Sequence, residues 1–137
     1  VKYLVDTNVI SELRKGQRCH ESVAAWWSTV APEDIFLSVL TIGEIRKGVE
    51  SVRRRDARSA GTLEAWLLRL ISHYRDQILA IELDIVEEWG WMSVPDPLPV
   101  VDGLLAATAK VRGLTLVTRN IADIARTGVD SFNPWRS

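Results

Sequence analysis

Val1-Lys2-Tyr3-Leu4-Val5-Asp6-Thr7-Asn8 opens the chain as an apolar, strand-favouring run that breaks off in a carboxylate and two small polar residues. β-Branched and aromatic side chains suit a pleated core strand, and a short unbroken apolar run suits one covered on both faces, as in a parallel sheet. Ligands of open α/β sheets collect beyond the carboxyl ends of such strands. The stretch therefore predicts a buried first strand that sets Asp6 on the working edge of a sheet. Thr7 or Asn8 is expected to cap a short helix running on through Val9-Ile10-Ser11-Glu12-Leu13-Arg14, with Asp6 on the tight turn before it.

Outward from this strand the alternation recurs. Glu21 to Val30 reads as a helix with Val23, Trp26, Trp27 and Val30 on its apolar face, and Ile35 to Val39 as a second buried strand. Thr41 to Val52 reads as a helix striped by Ile42, Ile45, Val49 and Val52. Arg53-Arg54-Arg55-Asp56 is a charged hinge into a longer helix, Ala57 to Tyr74, whose stripe is Leu63, Trp66, Leu67, Leu70, Ile71 and Tyr74. Ile78 to Ile81 is a short strand and Asp84 to Trp91 a helix. Pro95, Pro97 and Pro99 force an extended loop, because each fixes its own backbone angle and biases its predecessor away from helix. Val100 to Arg112 is helical with Gly113 as its C-terminal cap, and Thr115 to Thr118 is another strand. A short helix from Asn120 to about Ala125 and an edge strand near Ser131-Phe132-Asn133 complete the chain. Strands alternating with helices imply right-handed crossovers, so the predicted fold is a three-layer α/β/α domain over residues 1–137 with a mostly parallel central sheet.

Composition narrows the class. The 137 residues suffice for one domain, and 47% apolar with 26% charged residues describes a globular chain. A formal net charge of -1 excludes blanket attraction to nucleic acid or membrane, so a polyanionic partner requires a local basic patch. The lone Cys19 cannot form an internal disulfide, which fits a reducing cytoplasm. No basic segment precedes a long apolar one, and no apolar run is long enough to span a bilayer; the expectation is a cytoplasmic protein with no membrane partner.

Four carboxylates stand out by position. Asp6 ends the first strand. Glu44 lies off the apolar stripe of its helix, with Thr41 and Gly48 on its face; Asp102 begins a helix whose same-side residues Ala106 and Ala109 are small; Asp123 follows shortly after the strand ending in Thr118. Each has an ordinary alternative. Asp6 could shape a turn, Glu44 could be solvated beside Lys47, Asp102 could be a helix cap or first-turn charge, and Asp123 could serve a capping box begun by Asn120. As a set they imply more. In a doubly wound sheet, acids after different strands converge on one edge, where crowded carboxylates repel unless a cation compensates. An all-oxygen set without Cys or His suits Mg²⁺ or Mn²⁺, ions that bind phosphate oxygens and activate water, so the implied chemistry is phosphodiester hydrolysis.

Four stretches carry a family resemblance: Leu4-Val5-Asp6-Thr7-Asn8-Val9-Ile10-Ser11-Glu12-Leu13, Thr41-Ile42-Gly43-Glu44-Ile45-Arg46-Lys47-Gly48, Val101-Asp102-Gly103-Leu104-Leu105-Ala106-Ala107-Thr108-Ala109, and Thr118-Arg119-Asn120-Ile121-Ala122-Asp123. In this order they resemble the motifs of PIN-domain proteins, specifically VapC-type toxins of bacterial type II toxin–antitoxin modules, and the Ser11-Glu12-Leu13 continuation is similar to the FitB-like branch. The resemblance implies a PIN-like fold and a metal-dependent endoribonuclease. In it Asp6, Glu44, Asp102 and Asp123 bind Mg²⁺ or Mn²⁺ directly or through water, and Thr118 and Asn120 orient acids or water by hydrogen bonds. It implies a metal-activated water attacking phosphorus, with 5′-phosphate and 3′-hydroxyl ends left behind. It also implies a VapB-like antitoxin wrapped along a hydrophobic groove, contact with DNA only through that antitoxin, and a homodimer. Gly103 stands where the family often has a larger residue and is expected to loosen the helix of Asp102.

RNA must be held against four negative charges. Arg46, Lys47 and Arg119, each beside a motif acid, are the candidates, whereas Arg53, Arg54, Arg55 and Arg58 serve equally well as a solvated hinge. Trp26 and Trp27 cannot point the same way, so one is expected at an interface, and the Trp26 and Trp66 helices are expected to line the antitoxin groove. His20 and His73 lack partners at metal-ligand spacing and read as surface or helix-end residues. Two rival functions are open to the same residues. One is a catalytically silent module that binds a DNA-binding antitoxin for autoregulation, against which the retained acids argue. The other is a phosphoacceptor domain, which would need paired acids after the first strand and a late lysine where Arg119 stands.

Overall fold

The computed structural model describes residues 1–136 and resolves the alternation into five strands and seven α-helices. The order is β1 (Tyr3–Val5), α1 (Thr7–Leu13), α2 (Glu21–Ser28), β2 (Ile35–Ser38), α3 (Val39–Arg53), α4 (Ala57–His73), β3 (Ile78–Leu79), α5 (Leu83–Met92), α6 (Val100–Arg112), β4 (Thr115–Val117), α7 (Ile121–Ile124) and β5 (Ser131–Phe132). All the strand pairs are parallel, and the sheet order is β3-β2-β1-β4-β5. The opening stretch is thus the central strand, with Tyr3 in register with Ile35 on one side and Thr115 on the other. The chain winds from β1 outward to β3, then returns to the opposite side of β1 with β4 and β5. That reversal leaves a crevice between the carboxyl ends of β1 and β4, the place where such sheets bind ligands.

Alternation along the strands builds two cores. Val5 and Val117 face one side with Val9, Ile45, Val49 and Leu67, while Leu4 and Leu116 face the other with Leu105, Ala106, Ala109 and Ile124. Both faces of the central strands are therefore covered by helices, which explains why their sequences are unbroken apolar runs.

Several expected boundaries move for local reasons. Ser38 ends β2 as expected and also caps α3 by accepting the Leu40 amide at 3.0 Å, so Val39, expected in the strand, begins the helix two apolar residues before Thr41. Neither Thr7 nor Asn8 caps α1. The cap is Asp6 itself, with extended backbone and a carboxylate that accepts the Thr7 amide at 2.7 Å. An acid is as good a cap as a hydroxyl, and the first turn offers unpaired amides to whichever side chain ends the strand. Gly113 closes α6 at φ +67°, as expected of a glycine C-cap. His20 caps α2 through its ring, accepting from the Ser22 amide, and His73 ends α4.

Candidate active site

Asp6 is held at the switch point from every side. Its amide donates to Val117 O at 2.9 Å, extending the β1–β4 ladder by one bond. One carboxylate oxygen accepts the Thr7 amide; the other accepts the Thr118 hydroxyl at 2.7 Å and, at a longer 3.3 Å, the Asn8 amide nitrogen. Thr118 is buried and lies 112 residues further along the chain, so this bond joins the ends of β1 and β4 across the crevice. Its hydroxyl oxygen in turn accepts the Asn120 amide at 3.1 Å, which sets the turn into α7. Glu44, exposed on α3, accepts the Thr7 hydroxyl at 2.5 Å. Thr7 therefore ties the first acid's turn to the second acid.

The other two acids approach from the far side. Asp102 sits half-buried in the first turn of α6 and Asp123 is exposed on α7. Neither helix begins with a side-chain capping bond, so the capping alternatives for Asp102 and Asp123 have no hydrogen bond behind them. Electrostatics link the set. Burial pushes the Asp6 carboxyl above the ordinary carboxylate range; the bonds from Thr118 and Thr7 pull it back, and the charges of Asp102 and Glu44 push it up again. Asp102 is raised by burial first, then by Asp123 and Glu44. Each of the four acids is thus within electrostatic reach of another at this edge.

Among the described residues, no three Asp, Glu, His or Cys side chains close on one point tightly enough to enclose an ion. The donor chemistry nevertheless fits a hard cation: only oxygen is offered, and mutual repulsion is left uncompensated. Mg²⁺ keeps several waters and needs few direct protein ligands. One buried hydroxyl, Thr41 Oγ1, a turn before Glu44 on α3, has no hydrogen-bond partner. Thr118→Val removes one of Asp6's stabilising donors while keeping volume, so a divalent ion held by these acids would bind about tenfold more weakly. A Mg²⁺ titration followed by the shift in melting temperature, with circular dichroism to confirm folding, checks this.

Of the basic candidates, Lys47 is exposed beside Glu44 on α3. Arg46 is turned toward α4, where its guanidinium meets Glu64 at 2.6 Å and Glu50 at 3.1 Å. Arg53 joins the same network, so that part of the hinge cluster braces the α3–α4 pair. Arg119 follows Thr118 directly and lies over the Trp135 ring, 4.8 Å from its centroid.

Sequence reasoning missed two residues. Glu12, buried on α1, accepts the His20 amide at 2.8 Å and Lys15 at 2.9 Å, and so pins the loop into α2. An acid between Ser11 and Leu13 with Lys15 a turn away reads as a solvated helix residue and carries no sign of burial. Trp89 is the other: a Cβ added to Gly103 would stand 3.0 Å from its indole. Gly103 therefore does not loosen the helix of Asp102, because the Trp89 ring fills the space that a larger side chain would take. Gly103→Leu is expected to cost about 1–3 kcal/mol by overpacking, read from a denaturant midpoint.

Trp26 and Trp27 do not part as expected: both are half-buried and their ring centroids lie 5.9 Å apart, although their further neighbours differ. Trp26 packs against Tyr3 and Phe132, whereas Trp27 shares a cleft of about 150 Å³ with Trp66, Leu70 and Tyr74. The α2 and α4 helices meet there through Trp27, not Trp26.

A doubly wound parallel sheet with an acidic cluster at its switch point defines the structural class. The chain belongs to the PIN-domain family, whose profile matches residues 3–129, and within it to the VapC-type toxins of the FitB-like branch. It is 32% identical to Toxin FitB of Neisseria gonorrhoeae over 96% of this chain and 97% of that protein. It is 29% identical to the VapC ribonuclease Y4jK of Sinorhizobium fredii over 96% of each. The crystal structure of FitAcB from Neisseria gonorrhoeae superposes with a TM-score of 0.89 at 30% identity, covering 98% of this chain and 99% of that one. A FitAB structure bound to an IR36 DNA fragment gives the same TM-score at 28% identity. Among the described residues no helix is long and apolar enough to cross a membrane.

Proposed function

We propose that this protein is the toxin of a VapBC/FitAB-type toxin–antitoxin module: a Mg²⁺-dependent endoribonuclease, with Mn²⁺ able to substitute, that acts in the cytoplasm and is restrained by a VapB-like antitoxin. The observation that carries the reading is Asp6, buried at the switch point, bonded to Thr118 across the crevice and repelled by Asp102 and Glu44. Asp6, Glu44, Asp102 and Asp123 would hold the ion, directly or through its waters. Bound there, a divalent ion supplies positive charge for phosphate oxygens and a lowered water pKa. The chain's own residues do the placing. Thr7 and Thr118 orient Glu44 and Asp6 by donating to them. Asn120 braces Thr118 through its backbone, and the exposed Lys47 and Arg119, close in sequence to Glu44 and Thr118, offer positive charge to RNA. Arg46 would have to leave Glu64 and Glu50 to take part.

Support for the partner comes from relatives solved as toxin–antitoxin complexes, one of them on DNA, which fits DNA contact through the antitoxin alone. The Trp27–Trp66 cleft between α2 and α4 is our candidate for an antitoxin contact. Tryptophan fluorescence that stays unchanged on antitoxin addition would count against it. We expect a homodimer, which sedimentation of the antitoxin-free protein tests. The decisive assay for the whole reading is RNA cleavage by purified antitoxin-free protein with Mg²⁺, with Mn²⁺ and with EDTA. Cleavage that persists in EDTA overturns the metal dependence, and absence of cleavage with either ion overturns the activity.

A further inference from the structure

We propose that Trp135 is a positioning residue that holds Arg119 as a clamp for an RNA backbone phosphate beside the acidic edge, an inference that rests on the nuclease reading above. The tail is built to bring the two together. β5 pairs with β4, the Thr118 amide donates to Phe132 O at 3.0 Å, and Asn133 then turns the chain by accepting the Trp135 amide at 2.9 Å. The indole arrives half-buried beside the residue that follows Thr118, and the Arg119 guanidinium carbon lies 4.8 Å from the ring centroid. The Arg119 backbone is also tethered to the first acid's turn, its amide donating to Asn8 Oδ1 at 3.4 Å while Asn8 donates to Asp6.

Arg119 differs from the other arginines beside carboxylates. Arg46, Arg53 and Arg112 are each paired with two of them, whereas Arg119, among the described residues, has an aromatic face in place of an acid; Arg14 over Trp66 shares that arrangement, but only Arg119 directly follows the Thr118 that bonds Asp6. This difference matters chemically. A carboxylate partner would occupy the N–H donors, while an aromatic ring attracts the cation through its quadrupole and leaves those donors free for a phosphate fork. The ring also gives the cation a resting place other than the four acids, where it would compete with a divalent ion. Phosphate is the ligand we assign, because the planar fork matches two phosphate oxygens and the cation sits next to the edge where a phosphodiester would be presented to the acids.

The test separates this proposal from the nuclease reading by measuring binding instead of cleavage. All variants are made in an Asp6→Asn background of the full chain, and the probe is a short mixed-sequence single-stranded RNA in Mg²⁺, titrated at several salt concentrations. Arg119→Gln is expected to weaken binding about tenfold and to reduce the salt slope by about 0.7, the value of one lost phosphate contact on a single strand. Trp135→Leu is expected to weaken binding severalfold with a similar loss of slope, and the double variant to bind no worse than Arg119→Gln alone. Trp135→Phe, which keeps the packing and a weaker quadrupole, is expected to show a smaller loss that vanishes in the Arg119→Gln background. It decides the matter should Trp135→Leu fail to fold. Unchanged affinity and slope in the Trp135 variants, or effects that multiply in the double variant, overturn the proposal. A failure of the wild type to cleave RNA, by contrast, bears on the nuclease reading and leaves this binding cycle interpretable.

Discussion

Asp6→Asn is expected to lower Mg²⁺-dependent RNA cleavage by about 10²–10³-fold while leaving the protein folded. The size follows from removing one charge that acts at the reacting centre in a partly dehydrated site. Folding survives because asparagine caps helices as well as aspartate does, so the Thr7 amide keeps an acceptor and α1 keeps its start. The buried Thr118 hydroxyl can reverse its role and accept from the new amide, and the half-buried Asn8 gives up only its longer 3.3 Å bond to that position. What disappears is the charge that Asp102 and Glu44 push against. The measurement is cleavage under single-turnover conditions, for wild type and variant purified identically and assayed with and without EDTA. Equal rates would remove Asp6 from the chemistry and point to a contaminating nuclease.

The acids were legible because they follow a rule of position. Asp6 ends an apolar run, Asp123 follows shortly after another such run, and in a doubly wound sheet such ends share an edge. The parallel sheet was legible for a related reason: strands buried on both faces must be apolar throughout, as Leu4-Val5 and Leu116-Val117 are. What sequence could not supply was tertiary partnership. Arg46 looks available for RNA because Glu64, the carboxylate that takes it, lies 18 residues away on a different helix. Val39 reads as strand until the hydroxyl of Ser38, the last residue of β2, is seen capping α3, which starts the helix two residues before Thr41. Gly103 reads as a weakness until Trp89 is found in the space it leaves. Assigning Thr7 or Asn8 as the cap of α1 overlooked that one carboxylate can both cap a helix and face a site. Asp6 does both with different oxygens, one toward Thr7 and the other toward Thr118.

That double duty leads to the second large effect, which is on stability instead of rate. Asp6 and Asp102 are both held above the ordinary carboxylate range, by burial first and by neighbouring negative charge after it. The folded protein therefore binds these protons more tightly than the unfolded chain does. Stability is lost as pH rises from the unfolded carboxylate range, near pH 4, through the raised folded values. Acids held low elsewhere, such as Glu12, Glu64 and Asp84, act in the opposite sense, their contribution present at neutral pH and lost on acidification. A bare melting curve mixes the two groups, but the difference between wild type and Asp6→Asn isolates the first. We expect the metal-free variant to melt above the metal-free wild type at neutral pH and the gap to close toward pH 4. Divalent ions should reverse the order. At a Mg²⁺ concentration about 100-fold above its Kd, binding stabilises the folded wild type by about 2.7 kcal/mol, which is about 5–10 °C in Tm for a chain of this size. The variant should gain much less, and the wild-type gain should shrink at acid pH as protons compete for the same oxygens. Scanning fluorimetry on the intrinsic tryptophans, with EDTA and Mg²⁺ arms at several pH values, reads all of these quantities. An equal Mg²⁺ shift in both proteins would place the ion away from Asp6, and no shift in the wild type would mean that these acids endure their repulsion for some purpose other than holding a cation.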